Sequence, residues 1–212
     1  MKKLMIISAF LLGTVATVFA QSEKYYGAMG ANLAGMGNLK TVQDHVDLAA
    51  KFERIGDAEK TQWLPYYYAA LLNSWAAFAA PNTEKDALGN KAKELVNKAQ
   101  AIQNSSELYA VKYMASTAQM MVDPMTRWQV YGQEAQKALD EGFALDAKNP
   151  RLHYMQGQSL FNTPEAFGGG KAKAKASFEK AVALYNEEKP ASPIAPTWGK
   201  EQAASMLEKC NK

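Results

Sequence analysis

Four times in this chain an alanine is followed four residues later by a bulkier residue and three residues after that by another small one. The triads are Ala92, Val96, Ala99; Ala135, Leu139, Gly142; Ala174, Phe178, Ala181; and Ala203, Leu207, Cys210. At about 100° per residue these positions share one narrow face of a helix. The two small residues let a neighbouring helix approach closely, and the large one between them fills the space that remains. The starting alanines are 43, 39 and 29 residues apart, so one helical unit recurs with connections of unequal length.

The rest of the chain agrees. Ala, Lys, Glu, Leu, Met and Gln dominate, and these favour helix. Runs that alternate with β-branched residues, the mark of strands, are absent beyond residue 20. Asp123-Pro124 and Asn149-Pro150 each place a capping side chain before a proline that needs no hydrogen-bonded N–H in a first turn. Thr41 with Asp44, and Thr83 with Asp86, have capping-box spacing. Thr197 is expected to cap a last helix after the proline-broken stretch 189–196. Nine helices are predicted, near 23–36, 41–58, 62–80, 84–103, 106–121, 125–145, 150–162, 171–187 and 198–211. Short connections imply antiparallel neighbours.

The first twenty residues read as a cleaved signal peptide, with Lys2 and Lys3 before an apolar run and Val18-Phe19-Ala20 before Gln21. The expected product is an exported protein, periplasmic or secreted, with residues 21–212 as one helical-repeat domain. Gln21 stands where a lipid anchor would need cysteine. The net charge of +3 falls to +1 without Lys2 and Lys3, which gives no general grip on nucleic acid. The single cysteine, Cys210, cannot form an internal disulfide. His45 and His153 are far apart, no Cys/His cluster has zinc-ligand spacing, and neither a metal nor a cofactor is expected.

The small–large–small triad resembles the second-helix signature of tetratricopeptide repeats, whose period is about 34 residues. First helices would then supply Ala69 or Ala70, Ala115 and Gly157 to the same packing. The stretches FERI (52–55), WLPYYYA (63–69), NPR (149–151), TPEAFGGGK (163–171) and PTWG (196–199) resemble an exported, functionally uncharacterised family of bacterial tetratricopeptide-type proteins. The glycine-rich joint before a second helix is also similar to the periplasmic T component of some substrate-binding-protein transporters. The resemblance implies an all-α fold: a right-handed stack of antiparallel helix pairs, a TPR-like α-solenoid, with a C-terminal capping helix.

Gly168, Gly169 and Gly170 precede Lys171, which invites a phosphate-loop reading. The motif fails, because Glu165 and Ala172 occupy its first and last positions and no strand precedes it. A hinge fits better. Thr163-Pro164-Glu165 starts one helical turn, Gly168 ends it in the left-handed conformation, and Gly169 and Gly170 let the chain fold back.

Trp63, Tyr67, Tyr113 and Arg127 are the candidate partner-binding residues. Tyrosine and tryptophan are common anchors of binding surfaces. Arg127 and Arg151 sit early in their helices, against the dipole, which points to a carboxylate of a neighbouring repeat or a bound anion. Glu53 and Arg54 are expected to form a buried ion pair between helices. Met120, Met121 and Met125 are expected in the core, and so is Cys210. The chain thus reads as a non-catalytic binding or scaffold protein presenting a concave surface to a protein or peptide of the cell envelope, with room for a homo-oligomer. Two alternatives are a small-molecule binder accessory to a transporter and a hydrolase of envelope polymers. The hydrolase would have to use Asp44, Asp47 and Glu53, the only clustered acids near aromatics.

Overall fold

The computed structural model describes residues 23–212. The expected leader, 1–20, lies outside the described residues. All regular structure among the described residues is helical. Helix α1 covers residues 23–35 and runs into a 3-10 turn, Met36–Asn38. There follow α2 (Val42–Glu59), α3 (Leu64–Ala79), α4 (Asn82–Ile102) and α5 (Ser106–Met120). A short α6 (Pro124–Arg127) passes through a π turn, Trp128–Gly132, into α7 (Gln133–Leu145). Then come α8 (Pro150–Asn162), a 3-10 turn at Glu165–Phe167, α9 (Lys171–Glu187) and α10 (Lys200–Cys210).

Several boundaries form as their side chains dictate. Thr41 accepts from the Asp44 N–H at 3.1 Å while the Asp44 carboxylate accepts from the Thr41 N–H at 2.8 Å, a complete capping box. The Asn149 side chain accepts from the Arg151 N–H at 2.8 Å. Three expected caps differ. Asp123 stands before α6, but its side chain accepts from the Thr126 hydroxyl at 2.7 Å rather than capping the helix. Helix α4 starts one residue before Thr83, behind Pro81, with no side-chain cap. Helix α10 starts after Gly199 rather than Thr197. Gly199 has φ 104°, in the left-handed region, and a Cβ there would also collide with the Tyr185 hydroxyl. The expected 125–145 helix is present but carries the π turn, an i→i+5 widening that no local propensity foretells.

Packing follows the small-residue stripes. Helix α3 pairs with α4, α5 with α7, and α8 with α9, while α2 packs on α3 and α10 on α9. The first members also touch one another, α3 against α5 and α5 against α8. Ala92, Val96 and Ala99 are fully buried, as are Ala174, Phe178 and Ala181. Ala135, Leu139 and Gly142 are buried too. In the last triad only Ala203 is buried, and Leu207 and Cys210 are half-buried. Ala69, Ala70 and Ala115 are fully buried, and Gly157 is buried as well.

Gly157 and Phe178 meet in the closest of these contacts. A Cβ on Gly157 would lie 2.5 Å from the Phe178 ring. Propensity alone favours alanine over glycine in a helix by about 1 kcal/mol. Overpacking a filled core costs about 1–3 kcal/mol. Gly157→Ala is therefore expected to lower stability in urea unfolding. A gain would mean that the helices separate freely at this point.

Around the glycine run, Gly168 ends the 3-10 turn at φ 89°, in the left-handed region. Gly170 has φ 103°, and its N–H donates to the Leu160 carbonyl at 2.9 Å, which closes α8 onto the start of α9.

Candidate functional site

Arg151 stands at the centre of the polar interior, with no exposed surface. Its Nη1 donates to Glu107 Oε1 at 3.0 Å and to Glu188 Oε1 at 2.7 Å. Its Nη2 donates to Glu188 Oε2 at 3.2 Å and to the Pro196 carbonyl at 2.7 Å. Glu107 also accepts from Asn149 Nδ2 at 2.8 Å and from the Tyr67 hydroxyl at 3.1 Å. Burial pushes the Glu107 carboxyl above its usual range, against the pull of Arg151, Asn149 and Tyr67. Burial works the other way on Arg151, yet Glu107 and Glu188 hold its pKa above the ordinary arginine value. The hub ties α3, α5, α8 and the segment after α9 together.

That segment, residues 188–199, lies against α3 and α8. The Tyr68 hydroxyl donates to the Ile194 carbonyl at 2.8 Å, and Trp198 Nε1 donates to the Tyr67 hydroxyl at 2.6 Å. The Trp198 ring meets Trp75 edge-on at 6.1 Å, and the Arg151 guanidinium stands 5.6 Å from its centre.

The sequence-predicted binding residues are therefore dispersed. Tyr67 is fully buried beneath this segment, and Tyr113 is buried on α5. Neither offers a ring to a partner, because both are covered within the stack. Trp63 is half-buried and meets Tyr67 edge-on at 5.6 Å. Arg127 pairs with Asp86 of α4 at 2.6 Å, the neighbouring-repeat carboxylate. Glu53 pairs not with Arg54 but with Lys91 and Lys98 of α4, at 2.9 and 2.8 Å. Burial raises the Glu53 pKa, but the bonds from Lys98 and Lys91 outweigh it and hold the carboxylate low. With Asp44 in its capping box and Asp47 accepting from Gln43, the acids of the hydrolase reading are all in structural use. His45 Nδ1 donates to the Thr41 carbonyl and His153 Nε2 to the Ala147 carbonyl.

Two surface features were not foreseen. The first is an apolar corner. Met125 is 87% exposed and Trp128 54%, with Met121 and Val130 beside them. Of the methionines expected in the core, Met120 is half-buried against Gly132, while Met121 and Met125 are exposed on and before the short α6. Arg127 and Lys93 lie over the Tyr131 ring at 5.7 and 5.0 Å.

The second is a groove along the seam of α1 and α2. One depression of about 320 Å³ is lined by Lys24, Tyr25, Ala28, Lys51, Arg54 and Ile55, among others. A second of about 290 Å³ meets it at Lys51 and runs to Gly35, Asn38 and Leu39, with Asp44 and Asp47 in its lining. The charge is mixed, since Glu59 lines the first depression beside Lys24, Lys51 and Arg54. Tyr26, 44% exposed, has its ring 5.3 Å from that of Tyr25. Lys51 and Arg54 are three apart on α2, a spacing that could have marked a cationic face. Nothing local marked α1 as the opposite wall. Among the described residues no group of His, Cys, Asp and Glu could hold a metal ion, and no helix is long and apolar enough to cross a membrane.

The described residues thus form an all-helical fold of packed helix pairs. The HusA haemophore from Porphyromonas gingivalis has this fold, with a TM-score of 0.82 and 34% sequence identity. The match covers 88% of this chain and 92% of that one, and the chain belongs to the same family. No protein-family model matches the chain, and no curated sequence does.

Proposed function

We propose that this chain is an exported, non-enzymatic carrier of a planar, largely apolar ligand with anionic groups, of the haem class. The observation that carries the reading is its 34% identity to a haemophore over 92% of that chain. The α1–α2 groove supports a location. Ala28, Ile55 and Ala58 offer apolar wall, and Lys24, Lys51 and Arg54 offer charge to carboxylates. Tyr25 lines the depression, and its neighbour Tyr26, outside that lining, has an exposed phenol of the kind that can ligate haem iron. The depression of about 320 Å³ is at the small end of ligand sites, so a haem would stand partly proud of the surface. Residues 21–212 act as one domain in this reading.

Titration with haemin, followed in the Soret band and by tryptophan quenching, tests it. Wild-type protein should shift the band at stoichiometric haemin. Lys51→Glu with Arg54→Glu should weaken binding by about tenfold or more, since hydrogen bonds to charged groups are worth about 1.5–3 kcal/mol. Trp128→Ala should leave it unchanged. The reverse pattern would move the site to the apolar corner, and no response from wild type would overturn the ligand class.

A protein or peptide partner in the cell envelope is the second reading. The exposed Met121, Met125, Trp128 and Val130 support it, since such residues are enriched in interfaces and sparse on free surfaces.

A further inference from the structure

The thioether sulfur of methionine takes an oxygen atom from peroxides, and its susceptibility follows its access to solvent. The described methionines divide sharply on that point. Met29, Met114 and Met155 are buried in the core. Met36, Met120 and Met206 are half-buried. Met125 is 87% exposed and Met121 48%. The two exposed methionines are therefore gathered in one place, where the chain turns from α5 into α6. Trp128 and Val130, also exposed, complete the corner. The Trp128 N–H donates to the Pro124 carbonyl, so Met125 and Trp128 stand three apart on one helical turn and are surface neighbours.

The turn that presents them is pinned. Asn82 Nδ2 donates to the Val122 carbonyl at 3.2 Å, the Thr126 hydroxyl to Asp123 at 2.7 Å, and Arg127 Nη1 to Asp86 at 2.6 Å. None of these bonds uses a methionine side chain, so a change at either sulfur leaves them standing. Oxygen on the sulfur makes an apolar side chain polar. Here it acts on an exposed apolar patch, the kind of surface through which proteins interact.

We propose that Met125 and Met121 form a reversible oxidation site for hydroperoxides, which switches this corner from apolar to polar and leaves the fold intact. The sulfur lone pair attacks one peroxide oxygen. The S–O bond forms as the O–O bond breaks, the proton on the transferred oxygen passes to the departing hydroxide or alkoxide, and water or an alcohol leaves. The sulfur is oxidised and the peroxide reduced, with no further reactant. Methionine sulfoxide reductases, one for each sulfoxide epimer, restore the thioether. The site lies apart from the α1–α2 groove and does not depend on what that groove carries.

The test treats full-length protein with hydrogen peroxide for increasing times and maps the products by tandem mass spectrometry. Trypsin leaves Met114, Met120, Met121 and Met125 on one peptide, residues 113–127, so they are compared within one fragment. Met125 should oxidise first and Met121 next, both at least about tenfold faster than Met114, whose sulfur meets peroxide only when the fold opens. Met120 should lie between. Oxidised protein should leave a hydrophobic-interaction column earlier, with unchanged helicity by circular dichroism, and the reductases should restore the later elution. Met121→Leu with Met125→Leu keeps the corner apolar and removes its sulfurs, so its elution should not move under peroxide. Oxidation of Met114 as fast as that of Met125, a wild-type elution that peroxide leaves unchanged, or a shift that persists in the double variant would overturn the proposal.

Discussion

Arg151→Ala is expected to destabilise this protein by about 3–5 kcal/mol, the cost of breaking a buried ion pair from one side. The arginine has no exposed surface and joins Glu107, Glu188 and the Pro196 carbonyl. Its removal leaves Glu107 buried with only Asn149 and Tyr67 for company. In a chain of this size the melting temperature should fall by roughly 10 °C.

The pH dependence separates charge from packing. The Glu107 carboxyl already titrates above its ordinary range because burial outweighs its partners. The folded chain therefore holds that proton more tightly than the unfolded chain does. Stability from this group rises as pH falls from the raised value towards the ordinary one. Without Arg151 the elevation grows, so the variant's deficit should narrow on mild acidification, measured by urea unfolding at several pH values. A deficit that does not change with pH would assign the loss to the arginine's packing rather than its charge.

Phe178→Ala is the second large effect, again about 3–5 kcal/mol, through lost burial and the cavity left behind. Phe178 is fully buried on α9, against Gly157 and near the Tyr154 ring at 6.1 Å. The stack cannot close over the space, because Ala174 and Ala181 already bring the helices into contact on either side. A double-mutant cycle with Gly157→Ala gives the check. The added methyl, harmful beside the phenylalanine, should become neutral or favourable once the ring is gone. Additive effects would show that the two residues do not share a contact.

The helices were legible because their signals are local. Periodicity, the Thr41–Asp44 box and the proline-started α3 and α8 each lie within a few residues of the boundary they set. The same holds for the turn that Gly168 ends. The site was not legible. Tyr67 has the composition of a binding anchor, yet a tryptophan 131 residues later covers it. Met125 has the composition of core, yet it stands exposed on the short α6. Arg54 sits beside Glu53 in sequence, but successive helical residues point about 100° apart. Glu53 therefore turns to α4 and Arg54 to the α1–α2 groove.

The sequence by itself determined the secondary structure, the pairing stripes and the all-helical class, because those depend on residue spacing within one helix. The tertiary structure alone decided which aromatics are covered, which carboxylates Arg151 and Lys98 meet and where residues 188–199 lie. Those outcomes depend on contacts between residues tens to more than a hundred positions apart, and no local pattern encodes which helix comes to lie opposite.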